Sequence, residues 1–469
     1  MPLPKLPLRV SERKTLLVFM DLLLVNVATL IALWLWTRRD PWRSLSQDFV
    51  LSQVHWFLFL TVLWLLLASV NDFYELKTAA SFLSSALTLL RITAFMLWIY
   101  LLIYFVFPRN SLPRVFILFY AVLSFFLLGL WRSGYALFFG RFPFQRRAII
   151  VGAGASGQTI AQTIRETLGP DYQIVGYVDD DPGKQGQVIE GLPVIGTRRD
   201  LASLVKAEHV SEVILAITHR MHHELFRALM DCQEQGVQIT PMPILYEEIT
   251  GKVPVEYIGD SWPVALPLDH PSTRGFFPLF KRVVDLSIAA IGLTVFVILL
   301  PLVALALYID SPGPIFYTQE RVGKGGKTFR LTKFRSMIPM AEKEGGAVWA
   351  KKGDPRITRV GRFLRLTRLD ELPQFINVLK GEMSVVGPRP ERPEFVAELE
   401  GRIPFYRVRH SVKPGMAGWG LVKHGYADSI EDALEKVQYD LYYIKHQSIY
   451  MDLLILAKTI GAMLSFKGR

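Results

Sequence analysis

The pattern of hydrophobic and polar positions changes twice along the chain, near residue 135 and again near residue 277. Four long apolar stretches come first, at about 15–36, 53–70, 80–107 and 113–133. Each is long enough for a transmembrane helix, which needs about 20 mainly apolar residues. Trp and Tyr cluster near several of their ends, as is typical of membrane interfaces. The pattern predicts an N-terminal four-helix transmembrane bundle over residues 1–135.

A soluble α/β pattern follows the predicted bundle. A buried strand leads into a glycine-rich turn and an amphipathic helix, and the next strand ends in a run of acidic residues. This order predicts a central Rossmann-like α/β domain over residues 146–245, and it makes Gly152, Gly154, Gly157 and Asp179 candidate nucleotide-binding residues. The same glycines also allow close packing of strand and helix. No Tyr-x-x-x-Lys pair follows, so a structural or regulatory module is the alternative.

A third apolar region begins after residues 246–276, whose prolines and lack of periodicity predict a linker. The apolar run at 281–309 could just cross a bilayer, but a fifth crossing would carry the charged C-terminal part away from cytoplasmic nucleotides. Pro301 interrupts helical hydrogen bonding, and Lys281 and Arg282 would anchor one end at the basic side. We expect a re-entrant membrane helix broken at Pro301, with a full span as the alternative.

Composition and charge limit the classes of molecule that this protein is expected to bind. Half of the residues are hydrophobic and the mean hydropathy is +0.28, which the membrane segments explain. The net charge of +11 fits nucleic acid, an anionic membrane surface or anionic substrates. No nucleic-acid motif is present and basic residues border the apolar segments, so membrane and phosphate are favoured. The single Cys232 excludes an intramolecular disulfide and a multi-cysteine metal site.

The C-terminal part contains an unusual group of charges. The adjacent carboxylates Asp370 and Glu371 lie between Arg365, Arg368 and Arg389. Arginines in such a setting can hold a phosphate against a carboxylate, which is the arrangement a carboxylate needs to attack phosphorus. An ordinary capped helix with a surface ion pair is the alternative.

The sequence around this pair also predicts a helix start. Thr367 or Asp370 is expected to cap a helix whose first turn holds Pro373 and which stops near Gly381. The free N–H groups and the dipole of such a start form an anion site, where an Asp should stay ionised.

Five motifs in order extend this picture over residues 277–469. They are Gln319-Glu-Arg-Val-Gly323, Lys333-Phe-Arg335, Leu369-Asp-Glu-Leu-Pro-Gln374, Val386-Gly-Pro-Arg-Pro390 and Lys413-Pro-Gly-Met-Ala-Gly-Trp419. Together they resemble the bacterial sugar transferase family, the monotopic polyprenyl-phosphate phosphoglycosyl transferases. The whole layout is similar to the large form of that family, the undecaprenyl-phosphate glucose/galactose phosphotransferase type. It implies a multi-domain membrane protein that ends in an α-rich α/β catalytic domain.

The resemblance implies a reaction and roles for the paired carboxylates. Asp370 would be the nucleophile that attacks the β-phosphate of a UDP-sugar, releases UMP and forms an aspartyl-phosphosugar. Undecaprenyl phosphate would then accept the phosphosugar. Glu371 would be the ligand of Mg²⁺, with Mn²⁺ as an alternative.

Other positions match the family pattern as well. The matching phosphate-binding positions are Arg365, Arg389, Lys333 and Arg335. Pro301 falls at the helix-breaking proline of the membrane anchor. Lys423-His424 departs from the Asn-Gly-Arg found in many members, which leaves nucleoside and sugar contacts open.

The combined reading is a multi-pass protein of the bacterial inner membrane. Its catalytic domain would lie on the cytoplasmic face, because the basic flanks of the bundle favour both bundle ends inside. It would start exopolysaccharide, capsule or O-antigen synthesis, with a UDP-sugar and undecaprenyl phosphate as partners and no nucleic acid. The N-terminal helices and the α/β domain offer surfaces for a homodimer. The alternatives are a nucleotide-sugar oxidoreductase that uses the glycine-rich turn, or a non-catalytic assembly protein. The transferred sugar cannot be read from a motif.

Overall fold

The computed structural model describes residues 10–38, 46–106, 114–141, 146–169, 172–217, 222–257, 276–339, 354–425 and 429–464. The chain divides into two compact units, Met1–Ile249 and Thr250–Arg469. Most of the predicted linker, residues 258–275, lies outside the described residues. Its flanks are more ordered than a linker predicts: residues 246–250 are helical, and Val255 is buried in the core of the second unit.

The first unit begins with helices. They are α1 (Val10–Thr37), α2 (Gln47–Ser52), α3 (Val54–Val70), α4 (Leu76–Ala80), α5 (Phe82–Val106) and α6 (Arg114–Arg141). Trp64 and Tyr120 fill the centre of this bundle. The guanidinium of Arg132 forms a buried ion pair with Asp21 and lies 3.9 Å from the Phe73 ring centroid. These polar groups therefore join helices within the bundle.

Among the described helices, four are long and apolar enough to cross a membrane. Three of them, α1, α5 and α6, belong to the predicted bundle. The fourth is the helix Phe277–Asp310 of the second unit. Helix α3 has 17 residues, which at about 1.5 Å per residue give about 25 Å, less than the ~30 Å hydrocarbon core.

An α/β layer completes the first unit. Its elements are β1 (Arg146–Val151), α7 (Ala155–Thr167), β2 (Tyr172–Val178), β3 (Val188–Ile189), β4 (Leu192–Gly196), α8 (Leu201–Ala207), β5 (Glu212–Leu215), α9 (His223–Glu234), β6 (Gln238–Pro241) and α10 (Met242–Thr250). The strand order is β3-β4-β2-β1-β5-β6. All neighbours are parallel except the β3–β4 hairpin, and Ala148 of β1 pairs with Ile174 and Glu212. The predicted α/β domain is confirmed, with a mixed sheet.

The second unit is rich in helices. Its elements are α11 (Phe277–Asp310), β7 (Phe316–Val322), β8 (Thr328–Phe334), α12 (Arg359–Thr367), a 3-10 helix (Leu369–Gln374), α13 (Phe375–Lys380), β9 (Ser384–Val386), α14 (Pro393–Arg402), a second 3-10 helix (Tyr406–Ser411), β10 (Gly415–Ala417), α15 (Trp419–Lys423), α16 (Ile430–Lys445) and α17 (Ile449–Leu464). Strands β7 and β8 form an antiparallel hairpin, and β9 lies parallel to β10. Val437 and Tyr443 of α16 are in the centre of the core.

Helix α11 has two unlike faces. One face packs on the unit: Gly292 lies so close to Phe375 that an added Cβ would come within 2.2 Å of its ring. The other face is apolar and exposed, with Ile291, Ile298 and Leu302 among its residues. A break was predicted at Pro301, but the helix continues through this residue. The re-entrant path stays a prediction.

The basic residues at the start of α11 contact protein, which differs from the expectation that they anchor the helix at the membrane surface. Lys281 Nζ lies 2.6 Å from Asp452 Oδ2, and Arg282 Nη1 donates to the Val378 carbonyl at 2.7 Å. These contacts join the start of α11 to α13 and α17.

Candidate active site

The paired carboxylates lie in a short 3-10 helix between two α-helices. Helix α12 ends at Thr367, and the next residue, Arg368, has a φ of 55° in the left-handed region. The 3-10 helix Leu369–Gln374 follows directly. The predicted stop is confirmed at Gly381, where φ is 82°. The predicted cap is wrong. Thr367 Oγ1 donates to the Phe363 carbonyl at 2.8 Å, inside α12, and the 3-10 helix has no side-chain cap. The pair therefore lies at the start of a 3-10 helix that no side chain caps.

Glu371 is held by arginines. Its Oε1 accepts a hydrogen bond from Arg389 Nη2 at 2.9 Å, and its Oε2 lies 4.0 Å from Arg368 Nη1, beyond hydrogen-bonding distance. Burial alone would raise the pKa of Glu371, but the guanidinium groups of Arg389 and Arg368 hold that pKa below its usual range.

Asp370 has a different environment, although it is equally buried. No described residue donates a hydrogen bond to its carboxylate. Burial, followed by repulsion from Glu371, raises the pKa of Asp370 to about 6 against the attraction of Lys333, Arg365 and Arg389. A helix start was expected to keep Asp370 ionised. This reason is wrong, because the groups that lower the pKa of Asp370 are the side chains of Lys333, Arg365 and Arg389. Near neutral pH this carboxylate is mostly ionised and not tied to a donor.

The cations predicted to bind phosphate fall into two groups. The first group is Lys333, Arg365 and Arg389, whose positive charges all lower the pKa of Asp370. Burial and the neighbouring Arg321 lower the pKa of Lys333 to about 8. Arg365 is oriented by its Nε, which donates to Ser336 Oγ at 2.9 Å.

Arg335 lies apart from this group. Its Nη2 donates to the carbonyl of Ser311, the residue directly after α11, and its side chain covers Gly313. This contact satisfies the negative end of a long helix. A phosphate-binding role for Arg335 therefore stays a prediction without a contact to Asp370.

A buried ionic network supports the Arg389 segment, and sequence reasoning missed it. Arg409 Nη2 lies 2.8 Å from Asp440 Oδ2 and also donates to the Arg389 carbonyl at 3.0 Å. Arg321 Nη1 donates to the Pro390 carbonyl at 3.0 Å. Arg321 belongs to a motif visible in the sequence, whereas Asp440 lies in a helix whose pattern indicates packing alone.

The glycine-rich turn of the α/β domain is closed by its own acid. Asp179 accepts hydrogen bonds from Ala153 N at 2.8 Å and Lys184 Nζ at 3.1 Å. Gly157 is required by packing, because an added Cβ would lie 1.9 Å from the Gly152 carbonyl oxygen. Gly154 faces open space. The predicted residues are brought together, but the carboxylate of Asp179, a candidate nucleotide-binding residue, is already bonded to the turn.

Two known protein families match different parts of the chain. The family described as bacterial sugar transferase matches residues 276–466, and the CoA-binding domain family matches residues 69–243. A UDP-glucose:undecaprenyl-phosphate glucose-1-phosphate transferase of Escherichia coli is 32% identical over 69% of this chain and 68% of that protein. This chain belongs to the bacterial sugar transferase family. The predicted family and enzyme class, a polyprenyl-phosphate sugar-1-phosphate transferase, are confirmed.

Other members of the family carry different sugars in their names. A UDP-N-acetylgalactosamine-undecaprenyl-phosphate N-acetylgalactosaminephosphotransferase of Aeromonas hydrophila is 41% identical over 52% of this chain. The match spans 56% of that protein, about half its length. A UDP-galactose-lipid carrier transferase of Erwinia amylovora is 30% identical over 69% of each chain. Family membership therefore leaves the sugar open.

Proposed function

We propose that this protein transfers a phosphosugar from a UDP-sugar to undecaprenyl phosphate through a covalent intermediate on Asp370. The observation that carries the proposal is the contrast between two adjacent buried carboxylates. Glu371 is hydrogen-bonded to Arg389, whereas no described residue donates to Asp370. A carboxylate that is ionised, desolvated and surrounded by cations is suited to attack phosphorus.

The chemistry divides into two displacements at one phosphorus atom. An Asp370 carboxylate oxygen bonds to the β-phosphorus of the UDP-sugar, and the bridging P–O bond to the α-phosphate breaks. UMP leaves with the electron pair of that bond. A phosphate oxygen of undecaprenyl phosphate then bonds to the same phosphorus and breaks the bond to Asp370. The products are undecaprenyl-diphosphate-sugar and a regenerated carboxylate.

The surrounding cations would stabilise the charge that develops on the phosphoryl oxygens. Lys333, Arg365 and Arg389 are suitable because their positive charges already stabilise the ionised form of Asp370. Their excess over the carboxylates also favours binding of an anionic diphosphate. The fixed network around Arg409 keeps Arg389 from reorganising during the reaction.

The donor set fits a Mg²⁺ ion that is bound partly by substrate. No group of three or more His, Cys, Asp or Glu side chains suited to a metal occurs among the described residues. One or two carboxylates completed by substrate phosphates is ordinary Mg²⁺ coordination. Glu371 would hold the ion, which would supply neutralisation of phosphate charge.

The packing of α11 supports a catalytic unit that rests on one membrane surface. Asp285 near its start accepts a hydrogen bond from Val385 N at 3.0 Å, and Asp310 at its end accepts one from Val360 N at 2.9 Å. Both ends of α11 thus contact polar groups of the same unit. If α11 spanned the bilayer, some of these polar groups would have to lie in the hydrocarbon core. This favours a re-entrant helix and, with a cytoplasmic donor, the cytoplasmic face of the inner membrane. The pathway served would be the start of a surface polysaccharide.

A single-turnover experiment tests the proposal. Purified protein in lipid nanodiscs is mixed with β-³²P-labelled UDP-glucose, UDP-galactose or UDP-N-acetylgalactosamine and Mg²⁺, without acceptor. We expect one donor to give a burst of UMP equal to the enzyme present, with label on the protein that moves to lipid when undecaprenyl phosphate is added. Asp370→Asn should abolish the burst, whereas Asp231→Asn, a change in α9, should not. Transfer by Asp370→Asn at the wild-type rate would refute the mechanism.

A further inference from the structure

Strand β9 leads directly into the segment that carries Arg389, and a buried polar cluster holds its end. Lys281 Nζ donates to the Val386 carbonyl at 3.1 Å and pairs with Asp452 Oδ2 at 2.6 Å. Tyr443 OH donates to Asp452 Oδ1 at 2.7 Å. The side chains of Lys281 and Asp452 are only 14% and 12% exposed. Helices α11, α16 and α17 therefore meet at one carbonyl of β9.

The same helix α11 also holds the start of β9. Asp285, one turn after Lys281, accepts hydrogen bonds from Ser384 Oγ at 2.9 Å and Val385 N at 3.0 Å. Both ends of the strand are thus fixed by α11, and Arg389 follows three residues later. The reach of Arg389 to Glu371 depends on where β9 lies.

Simple anchoring of helices does not explain the ion pair. Burial raises the pKa of Asp452, against the attraction of Lys281. A buried ion pair generally contributes little net stability, and a pair of apolar side chains would join α11 and α17 as well. The ion pair adds a directed donor to the Val386 carbonyl, which an apolar pair lacks.

We propose that Lys281 and Asp452 are positioning residues for Arg389. Asp452 orients the ammonium group of Lys281, which fixes the Val386 carbonyl and so aims Arg389 at Glu371 and the transferring phosphate. This inference rests on the proposed function, in which Arg389 contacts that phosphate. It links α17 and the helix α11, which is long and apolar enough to cross a membrane, to the active site.

A double-mutant cycle tests the inference. The rate of UMP release is measured in nanodiscs at saturating UDP-sugar for Asp452→Asn, Arg389→Ala and their combination. We expect Asp452→Asn to lower the rate about tenfold or more, as misplacement of a catalytic group does. Combined with Arg389→Ala it should lower the rate no further, because there is then no arginine to position. The KM for UDP-sugar should change little in Asp452→Asn.

Further variants separate positioning from folding. Lys281→Arg keeps the charge and should recover most of the rate. The double variant Lys281→Met/Asp452→Met should keep the wild-type thermal midpoint, because it leaves no unpaired buried charge, yet stay slow. Lys252→Met breaks an equally short but more exposed ion pair, 2.5 Å from Lys252 Nζ to Glu435 Oε1, and should leave the rate unchanged.

The outcomes are distinguishable. Suppose that the wild-type protein releases UMP and that the rate losses of Asp452→Asn and Arg389→Ala multiply in the double variant. This result would overturn the inference and leave the proposed function intact. A wild-type protein that releases no UMP from any donor would overturn both.

Discussion

The two titrating groups beside the reacting phosphorus predict a bell-shaped pH dependence. Asp370 must be ionised to attack, and its pKa is about 6. Lys333 must be charged to stabilise the phosphoryl oxygens, and its pKa is about 8. The active form is therefore lost as pH falls through about 6 and again as pH rises through about 8. At pH ~5 and at pH ~9 the rate should be about tenfold below its maximum near pH 7.

The assay is single-turnover UMP release at subsaturating UDP-sugar without acceptor, which reports on the free enzyme. Leaving out undecaprenyl phosphate removes its own phosphate titration from the profile. Lys333→Arg should abolish the alkaline limb, because a guanidinium stays charged to above pH ~12, and should keep the acid limb. Lys327→Arg, at an exposed position next to the same hairpin, is the matched control and should keep both limbs.

Two results would contradict this reasoning. An alkaline limb that remains near pH 8 in Lys333→Arg would show that another group titrates there. A wild-type rate that stays constant down to pH ~4 would show that Asp370 has an ordinary pKa or is not the nucleophile. Lys333→Met offers a further check, because loss of its charge should move the acid limb to higher pH.

Two more predictions follow from the buried charges. Arg409→Met leaves Asp440 buried without its partner and should lower the free energy of unfolding by about 3–5 kcal/mol, measured by urea denaturation in detergent. Arg402→Met breaks only an exposed pair and should cost less than about 1 kcal/mol; equal losses would refute the argument. A chelator should stop transfer and added Mg²⁺ should restore it, whereas chelator-resistant transfer would remove the metal role of Glu371.

The sequence predicts most of what local patterns determine. Strands β1 and β2 of the α/β domain, the end of α13 at Gly381 and the clustering of Asp370 with cations follow from periodicity, turn residues and motif spacing. Glycine and proline act within a few residues, so their effects can be read from neighbours alone.

The hydrogen-bond and ion-pair partners of the charged side chains could not be predicted in the same way. They depend on which residues far apart in the sequence come into contact in the fold. Arg409 and Asp440 are 31 residues apart and pair only after α16 packs. Lys281 was expected at the membrane surface, but Asp452, 171 residues later, binds it. Asp179 fits the spacing of a ribose-binding acid, although its carboxylate bonds to Ala153 N. Local spacing identifies a residue type, while the tertiary fold determines its partner.

The two unlike faces of α11 limit how this enzyme can be handled. A truncated form that starts after Asp310 would lose the carboxylate that binds Ser384 and Val385, and would uncover Phe375. The helix usually removed to make a membrane protein soluble is here one wall of the catalytic core. Lipid or detergent therefore acts as an outer layer of the folded unit, and the choice of amphiphile should affect activity as directly as a core mutation does.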